Sequence, residues 1–193
     1  MSLSSAQHAS QPPRSVARSI VHFIIMLLVA FALAVFSHTF IFEPYKIPSG
    51  SMEQTIMSGD LVISEKVSYR FAAPKQGDIV TFHEVNPNNN PEHNRILIKR
   101  IIATAGQTVD LQGGHVVVDG KPLSEPYTLN KPNYPLVGSH ISFPFVVPEG
   151  CMWVMGDNRT NSQDSRFFGA VPLQSITGKA FCIHWPFNHM KLL

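Results

Sequence analysis

Apolar and polar positions divide this chain into two unlike stretches. Between residues 19 and 42 no Asp, Glu, Lys or Arg appears. At about 1.5 Å of rise per residue, a helix of that length crosses a hydrocarbon core of about 30 Å. His22, Ser37, His38 and Thr39 are its main polar positions, the last three near one end. Arg14 and Arg18 precede the run and Glu43 follows it, an order that places the N-terminus in the cytoplasm and the remainder outside. Arg14/Arg18, the apolar stretch and Ala32-Leu33-Ala34 also imitate the three parts of a cleavable signal peptide. The run nevertheless continues through Val35-Phe36 and resumes at Phe40-Ile41-Phe42, which is too long for a signal core. We read residues 19–42 as a retained transmembrane anchor. Residues 1–18 are expected to be a cytoplasmic tail, disordered over the Ser-, Gln- and Pro-rich positions 1–13.

Residues 43–193 follow another rule, with helical periodicity nearly absent. Short apolar runs fall at 61–64, 78–82, 96–102, 115–118, 143–147, 152–155 and 179–185. Turn residues punctuate them, as in Asn86-Pro87-Asn88-Asn89-Asn90-Pro91, Gly113-Gly114 and Asp119-Gly120. Many short strands separated by turn signals predict an all-β sandwich or barrel, large enough for one substantial core. The run Val116 to Leu123 predicts a hairpin turning at Asp119-Gly120. The interval 106–147, richer in Pro, Gly and polar turns, is expected to be a small insertion on the main core. The expected fold is therefore all-β behind one N-terminal transmembrane helix.

Composition narrows the function classes. Net charge is +2 with 15% charged residues across 193 positions, low for a chain that meets only water. The 15 Lys and Arg are scattered without a basic run, which argues against nucleic-acid binding. Cys151 and Cys182 are too few for a disulfide scaffold. Each sits in an apolar strand-like run, so buried thiols are expected ahead of a disulfide. The 9 histidines show no HExxH spacing, and no phosphate-binding glycine motif occurs, so neither a metal nor a cofactor is expected.

Two stretches carry candidate chemistry. Ile47-Pro48-Ser49-Gly50-Ser51-Met52 sets two hydroxyls around a glycine just after the apolar run. Alone, Ser-Gly-Ser is a turn; as a nucleophile, a serine needs a base to take its proton. Lys99 lies in Arg95-Ile96-Leu97-Ile98-Lys99-Arg100-Ile101-Ile102. Strand alternation puts Leu97 and Ile101 on its own face and Ile98 and Ile102 on the other. Apolar surroundings disfavour an ammonium and turn a lysine into a credible general base. An isolated lysine there is equally a strand-edge residue with its amine in solvent.

The whole pattern decides between these readings, because it resembles the bacterial type I signal peptidases. Pro48-Ser49-Gly50-Ser51-Met52-Glu53-Gln54-Thr55 is similar to their PSGSMxPT box, and Gly59-Asp60-Leu61-Val62 to the next. Lys99-Arg100-Ile101-Ile102-Ala103 and the run Gly156-Asp157-Asn158-Arg159-Thr160-Asn161-Ser162-Gln163-Asp164-Ser165-Arg166 match the last two boxes, in family order. The resemblance implies a Ser–Lys dyad endopeptidase, with Ser51 the nucleophile and Lys99 the general base. Ser49 and the Ser51 N–H would form the oxyanion hole, and Ser162 would orient the lysine. Asp157 with Arg100, and Asp164 with Arg166, would be bracing ion pairs. Tyr45, Ile47, Met52, Leu97 and Ile98 match the walls that accept small residues at −1 and −3 of an Ala-X-Ala substrate. Implied partners are signal-peptide-bearing preproteins, membrane lipid and the export translocon. The implied place is the bacterial inner membrane, single-pass, with the catalytic domain on the extracytoplasmic side.

Three positions depart from the family pattern: Gln54 where Pro is usual, Thr160 where Asp is common, and Ala103-Thr104-Ala105-Gly106-Gln107 in place of a GLPGD-like run. None removes a proposed catalytic group. A soluble self-cleaving repressor would need a DNA-binding module, which the chain lacks. A non-cutting tethered β-domain would fit a chain without Ser51 or Lys99, and both are present.

Overall fold

An uninterrupted apolar run forms helix α1 (Val16–Phe40) at the N-terminal end of a computed structural model that describes residues 16–84 and 95–193. The tail at 1–13, Arg14 and the turn expected at 86–91 lie outside the described residues. The chain forms two compact units that divide between Thr39 and Phe40. Mean hydropathy over Arg18–Ser37 is 2.7, and among the described residues α1 is the one helix long and apolar enough to cross a membrane. Ile20, Phe23, Leu27 and Phe31 are all exposed on it. The helix starts earlier than residue 19 and stops short of 42. Pro44 fixes its own φ and disfavours helical backbone at Glu43, so Phe42 enters a strand instead.

That strand, β1 (Phe42–Lys46), begins the second unit. It is followed by β2 (Leu61–Glu65), β3 (Ile79–His83), β4 (Ile96–Thr104), β5 (Thr108–Gln112), β6 (His115–Val118), β7 (Lys121–Pro122), β8 (Phe145–Val146) and β9 (Cys151–Met155). A short helix, α2 (Ser165–Phe168), precedes β10 (Val171–Pro172), β11 (Ile176–Trp185) and β12 (Lys191–Leu192). Among the described residues, 8 strands make one sheet in the order β1-β2-β11-β3-β4-β9-β10, with β12 also paired to β11. This sheet curls into a half-barrel. The other 4 form a sheet in the order β7-β6-β5-β8, filling much of the interval 106–147.

Proline marks the sheet borders. Pro44 lies in β1 and Pro172 in β10, the two ends of the larger sheet, and Pro122 in β7 ends the smaller one. A residue without an N–H is tolerated at such an edge and blocks the addition of another strand. The Asp119-Gly120 hairpin forms, with Val118 facing Lys121 and φ of +51° and +76° at the turn.

Three buried clusters hold the unit together. Ile47, Met52, Ile56, Val62, Ile79, Ile98, Ala180 and Ile183 form one inside the curl. Val80, Phe82, Ile101, Met152, Val154 and Val171 form another. The third joins the two sheets around Trp153, with Ile102, Val109 and Val116. Ile98 and Ile101 fall in different clusters, so β4 is buried on both sides. Each such side chain contributes about 1.5–3 kcal/mol by leaving water. Cys151 and Cys182 are free thiols and half-buried, not fully buried as expected. Cys151 opens β9 at the margin of the Trp153 cluster, where covering is partial.

The longest strand, β11, passes from β3 to β2 at an irregularity beside Gly178. A Cβ on Gly178 would run into the Glu65 carbonyl and the Ser64 hydroxyl. We expect Gly178→Val to lower unfolding free energy by about 1–3 kcal/mol. Urea unfolding in detergent reads this as a lower midpoint with unchanged slope; an unchanged midpoint would show that the strands give way there.

Candidate active site

The Ser51 turn is fixed from below. Ile47 and Met52 are buried in the cluster inside the curl, and the exposed Pro48-Ser49 bridge arches between them. Ile47 N–H donates to the Asp60 carbonyl at 2.9 Å, and Gly59 N–H to the Ile47 carbonyl at 2.8 Å. Residues Gly50–Met52 make one tight helical turn, closed by Glu53 N–H on the Gly50 carbonyl at 3.1 Å. Buried Met52 sets the rotation of this turn, and Ser51 points inward with only 8% exposure. Ser49 precedes the turn, extended and exposed, and its hydroxyl caps nothing.

Lys99 comes from the middle of β4, opposite Val80 of β3. Its amine lies 2.6 Å from Ser51 Oγ. Lys99 is 4% exposed. Burial lowers its pKa to about 8, against the opposing pull of Asp164 and Asp157, while Arg166 adds to the lowering. When charged, this amine donates to Ser51 Oγ. When neutral, it can accept a proton from that hydroxyl.

The segment after β9 completes the site. Gly156 N–H donates to Asp164 Oδ2 at 3.1 Å. A Cβ on Gly156 would strike the Ser51 carbonyl and the Ser162 side chain, so only glycine allows this segment to reach Ser51. Arg100 grips Asp157 through Nε at 2.8 Å and a terminal nitrogen at 2.6 Å. Arg166 grips Asp164 through two nitrogens, both at 2.9 Å. Both carboxylates are wholly buried, and such pairs are costly to break, about 3–5 kcal/mol when one partner is removed. Asp164 also caps α2 by accepting from Arg166 N–H.

The structure departs from expectation at Ser162. Its hydroxyl is buried beside Gly156 and has no hydrogen-bond partner among the described residues, so the expected bond to Lys99 is not made. Lys99 is turned wholly to Ser51. The residues matched to substrate walls also divide. Ile47, Met52 and Ile98 share the cluster inside the curl, whereas half-buried Leu97 packs against the cluster of Val80 and Phe82, because neighbours on a strand face opposite ways. Tyr45 is half-buried on β1, opposite Val62. Among the described residues no group of His, Cys, Asp and Glu is placed to hold a metal ion.

Several structural neighbours of the site escaped sequence reasoning. Thr55 donates to Asp157. Tyr127 lies with its ring 4.0 Å from the Arg100 guanidinium. Arg159, wholly buried, is held by Glu125 at 2.8 and 2.6 Å. Arg159 and Asn158 stood inside a quoted motif, but nothing in the sequence marks 125–133 as their partner segment.

The family model for signal peptidase, peptidase S26, matches residues 20–185. Signal peptidase I of Leptolyngbya laminosa is 42% identical over 166 residues, covering 85% of this chain and 78% of that protein. Signal peptidase I of Mycobacterium tuberculosis (strain ATCC 25618 / H37Rv) is 35% identical over 223 residues, covering 90% and 76%. A solved signal peptidase I from Enterococcus faecalis V583 aligns with a TM-score of 0.46 at 30% identity, over 56% of this chain and 97% of that one.

Buried Lys99 also sets a stability slope. Its folded pKa of about 8 lies below the ordinary 10.5, so between these values the unfolded chain holds a proton that the folded chain does not. Stability therefore rises with pH across that window, by about 3 kcal/mol in all. Lys99→Met should abolish this rise in urea midpoints measured at pH 8 and pH 10. A rise of equal size in the variant would assign the slope to another group.

Proposed function

The chain belongs to the signal peptidase family, peptidase S26, and from that premise we propose a Ser51–Lys99 mechanism for its cleavage of preproteins. It is a serine endopeptidase of the signal peptidase I type, acting on preproteins that carry signal peptides. The observation that carries the proposed mechanism is the 2.6 Å approach of a buried, pKa-lowered lysine to Ser51 Oγ.

Neutral Lys99 takes the Ser51 proton as Oγ attacks the scissile carbonyl carbon, whose π electrons move to its oxygen. The Ser51 N–H and the Ser49 hydroxyl donate to that oxyanion. The uncapped, exposed Ser49 hydroxyl supports this role. Collapse of the intermediate breaks the peptide bond, and the Lys99 ammonium gives its proton to the departing amine. Lys99, neutral again, takes a proton from water as the water oxygen attacks the ester carbon. When this second intermediate collapses, the Ser51 Oγ–carbon bond breaks and the Lys99 ammonium returns the proton to Oγ. The signal-peptide acid leaves and ionises in solvent. Asp157 with Arg100 and Asp164 with Arg166 hold the surrounding backbone.

The substrate is proposed to lie extended beside the dyad, with small side chains at −1 and −3 entering beside Tyr45, Ile47, Met52 and Ile98, while Leu97 faces the other side of β4. The helix α1 is proposed to anchor the enzyme singly in the inner membrane, N-terminus in the cytoplasm and β unit outside. Its fully exposed apolar surface supports lipid as the partner, and Arg18 at its start supports the orientation. The translocon would then deliver substrate to the same face of the bilayer. Ser162 is proposed to take up the lysine amine when Ser51 is acylated, its buried hydroxyl being open to a partner.

Ser51→Ala and Lys99→Ala should each abolish cleavage of an Ala-X-Ala peptide by detergent-solubilised protein, with no further loss in the double variant. For the wild type, kcat/KM should rise about tenfold per pH unit below about 8 and level off above it, since only neutral Lys99 is a base. Activity surviving in Lys99→Ala would sink the dyad.

A protein lacking residues 1–42 should still cleave the free peptide but process liposome-inserted precursors poorly, because the shared surface no longer concentrates enzyme and substrate. Equal rates on liposomes would reject the anchor's role.

A further inference from the structure

We propose that Lys131, acting through the side-chain amide of Asn158, is a positioning residue that aims the backbone N–H of Ser51 at the oxyanion. The inference rests on the reading above, in which that N–H stabilises the tetrahedral intermediate. Asn158 is 3% exposed and touches both peptide units that flank Ser51. Its Nδ2 donates to the Gly50 carbonyl at 2.9 Å, and its backbone N–H to the Ser51 carbonyl at 3.0 Å. The Gly50 carbonyl and the Ser51 N–H belong to one planar peptide and point in opposite directions. Fixing the oxygen therefore fixes where the N–H points.

Lys131 clamps the Asn158 amide in the orientation that the Gly50 carbonyl and Glu53 also require. Its ammonium donates to Asn158 Oδ1 at 2.6 Å. An ammonium has donors only, so it accepts no other orientation: the carbonyl oxygen must face Lys131. The NH2 group then faces the nucleophile turn, with one hydrogen for the Gly50 carbonyl and one for Glu53 Oε2 at 3.1 Å. Were the amide reversed, its oxygen would meet the Gly50 carbonyl and the Glu53 carboxylate, and the peptide would lose its hold.

The backbone that presents Lys131 does not depend on the Lys131 side chain. Lys131 N–H donates to the Thr128 carbonyl at 3.1 Å. Glu125 is tied to Arg159, and the Tyr127 ring lies on Arg100. Removing the amine thus leaves the segment in place and loosens only the Asn158 amide, which loses the one bond to its oxygen.

The test uses the full chain in detergent and an Ala-X-Ala peptide. Lys131→Met should lower kcat about tenfold with KM within about twofold of wild type and the midpoint of the pH profile unmoved. Lys131→Arg, also a donor only, should recover most of that loss. Asn158→Asp keeps the oxygen towards Lys131 but cannot donate to Gly50, and should lower kcat about 100-fold, in the range for losing one oxyanion donor. In an Asn158→Leu background, Lys131→Met should cost nothing more, since it acts through that amide. An unchanged kcat for Lys131→Met, an effect confined to KM, or a further tenfold loss in the Asn158→Leu background would each overturn the proposal. So would less folded protein with normal kcat per active site. Cleavage by Ser51→Ala would instead overturn the underlying mechanism, whatever Lys131 does.

Discussion

When β4 carries Lys99 into the interior, its amine loses water, and that desolvation sets the terms for everything nearby. The folded protein gives up about 3 kcal/mol at neutral pH to keep this group poorly solvated. What it gains is an amine that is neutral within reach of ordinary pH, 2.6 Å from a serine hydroxyl. A lysine left at the sheet edge would keep its proton and its solvent.

Buried carboxylates threaten that arrangement. Asp157 and Asp164 both act to hold Lys99 in its charged form. Each is engaged by a guanidinium of its own, Arg100 and Arg166. The pairs thus do more than brace the backbone: they engage the two negative charges that favour the charged form of Lys99. The same pairs set Gly156 against the Ser51 carbonyl, where a methyl group would collide. Electrostatics and close packing here make one demand on one segment.

The interval that forms the smaller sheet is part of this economy of contacts. Its first strands complete the core around Trp153. The segment that follows returns to the site, laying Tyr127 on Arg100, Glu125 on Arg159 and Lys131 on Asn158. A stretch that reads as a peripheral insertion therefore touches the residues that pack about Lys99 and the Ser51 turn.

Local patterns settled a good deal before any tertiary structure. The uncharged run determined a long apolar helix, because no folded core needs that many consecutive apolar residues. Short apolar runs with turn residues between them determined β2, β3, β4, β6, β8, β9 and β11, since period and punctuation are properties of neighbours in sequence. Strand β1 starts on the last residue of the apolar run and continues through Glu43, Pro44, Tyr45 and Lys46 with no apolar run to mark it. Strand β5 lacks one too, because Thr108, Asp110 and Gln112 alternate with only two apolar residues. The family boxes named Ser51, Lys99 and the acidic and basic residues after Gly156, yet spacing alone carries no distances. Only the tertiary structure decided that Lys99 faces Ser51 and not Ser162, that Leu97 and Ile98 part company, and that Asn158 receives Lys131. Each of those outcomes depends on which groups lose water together, and that is set by strands far apart in the chain folding onto one another.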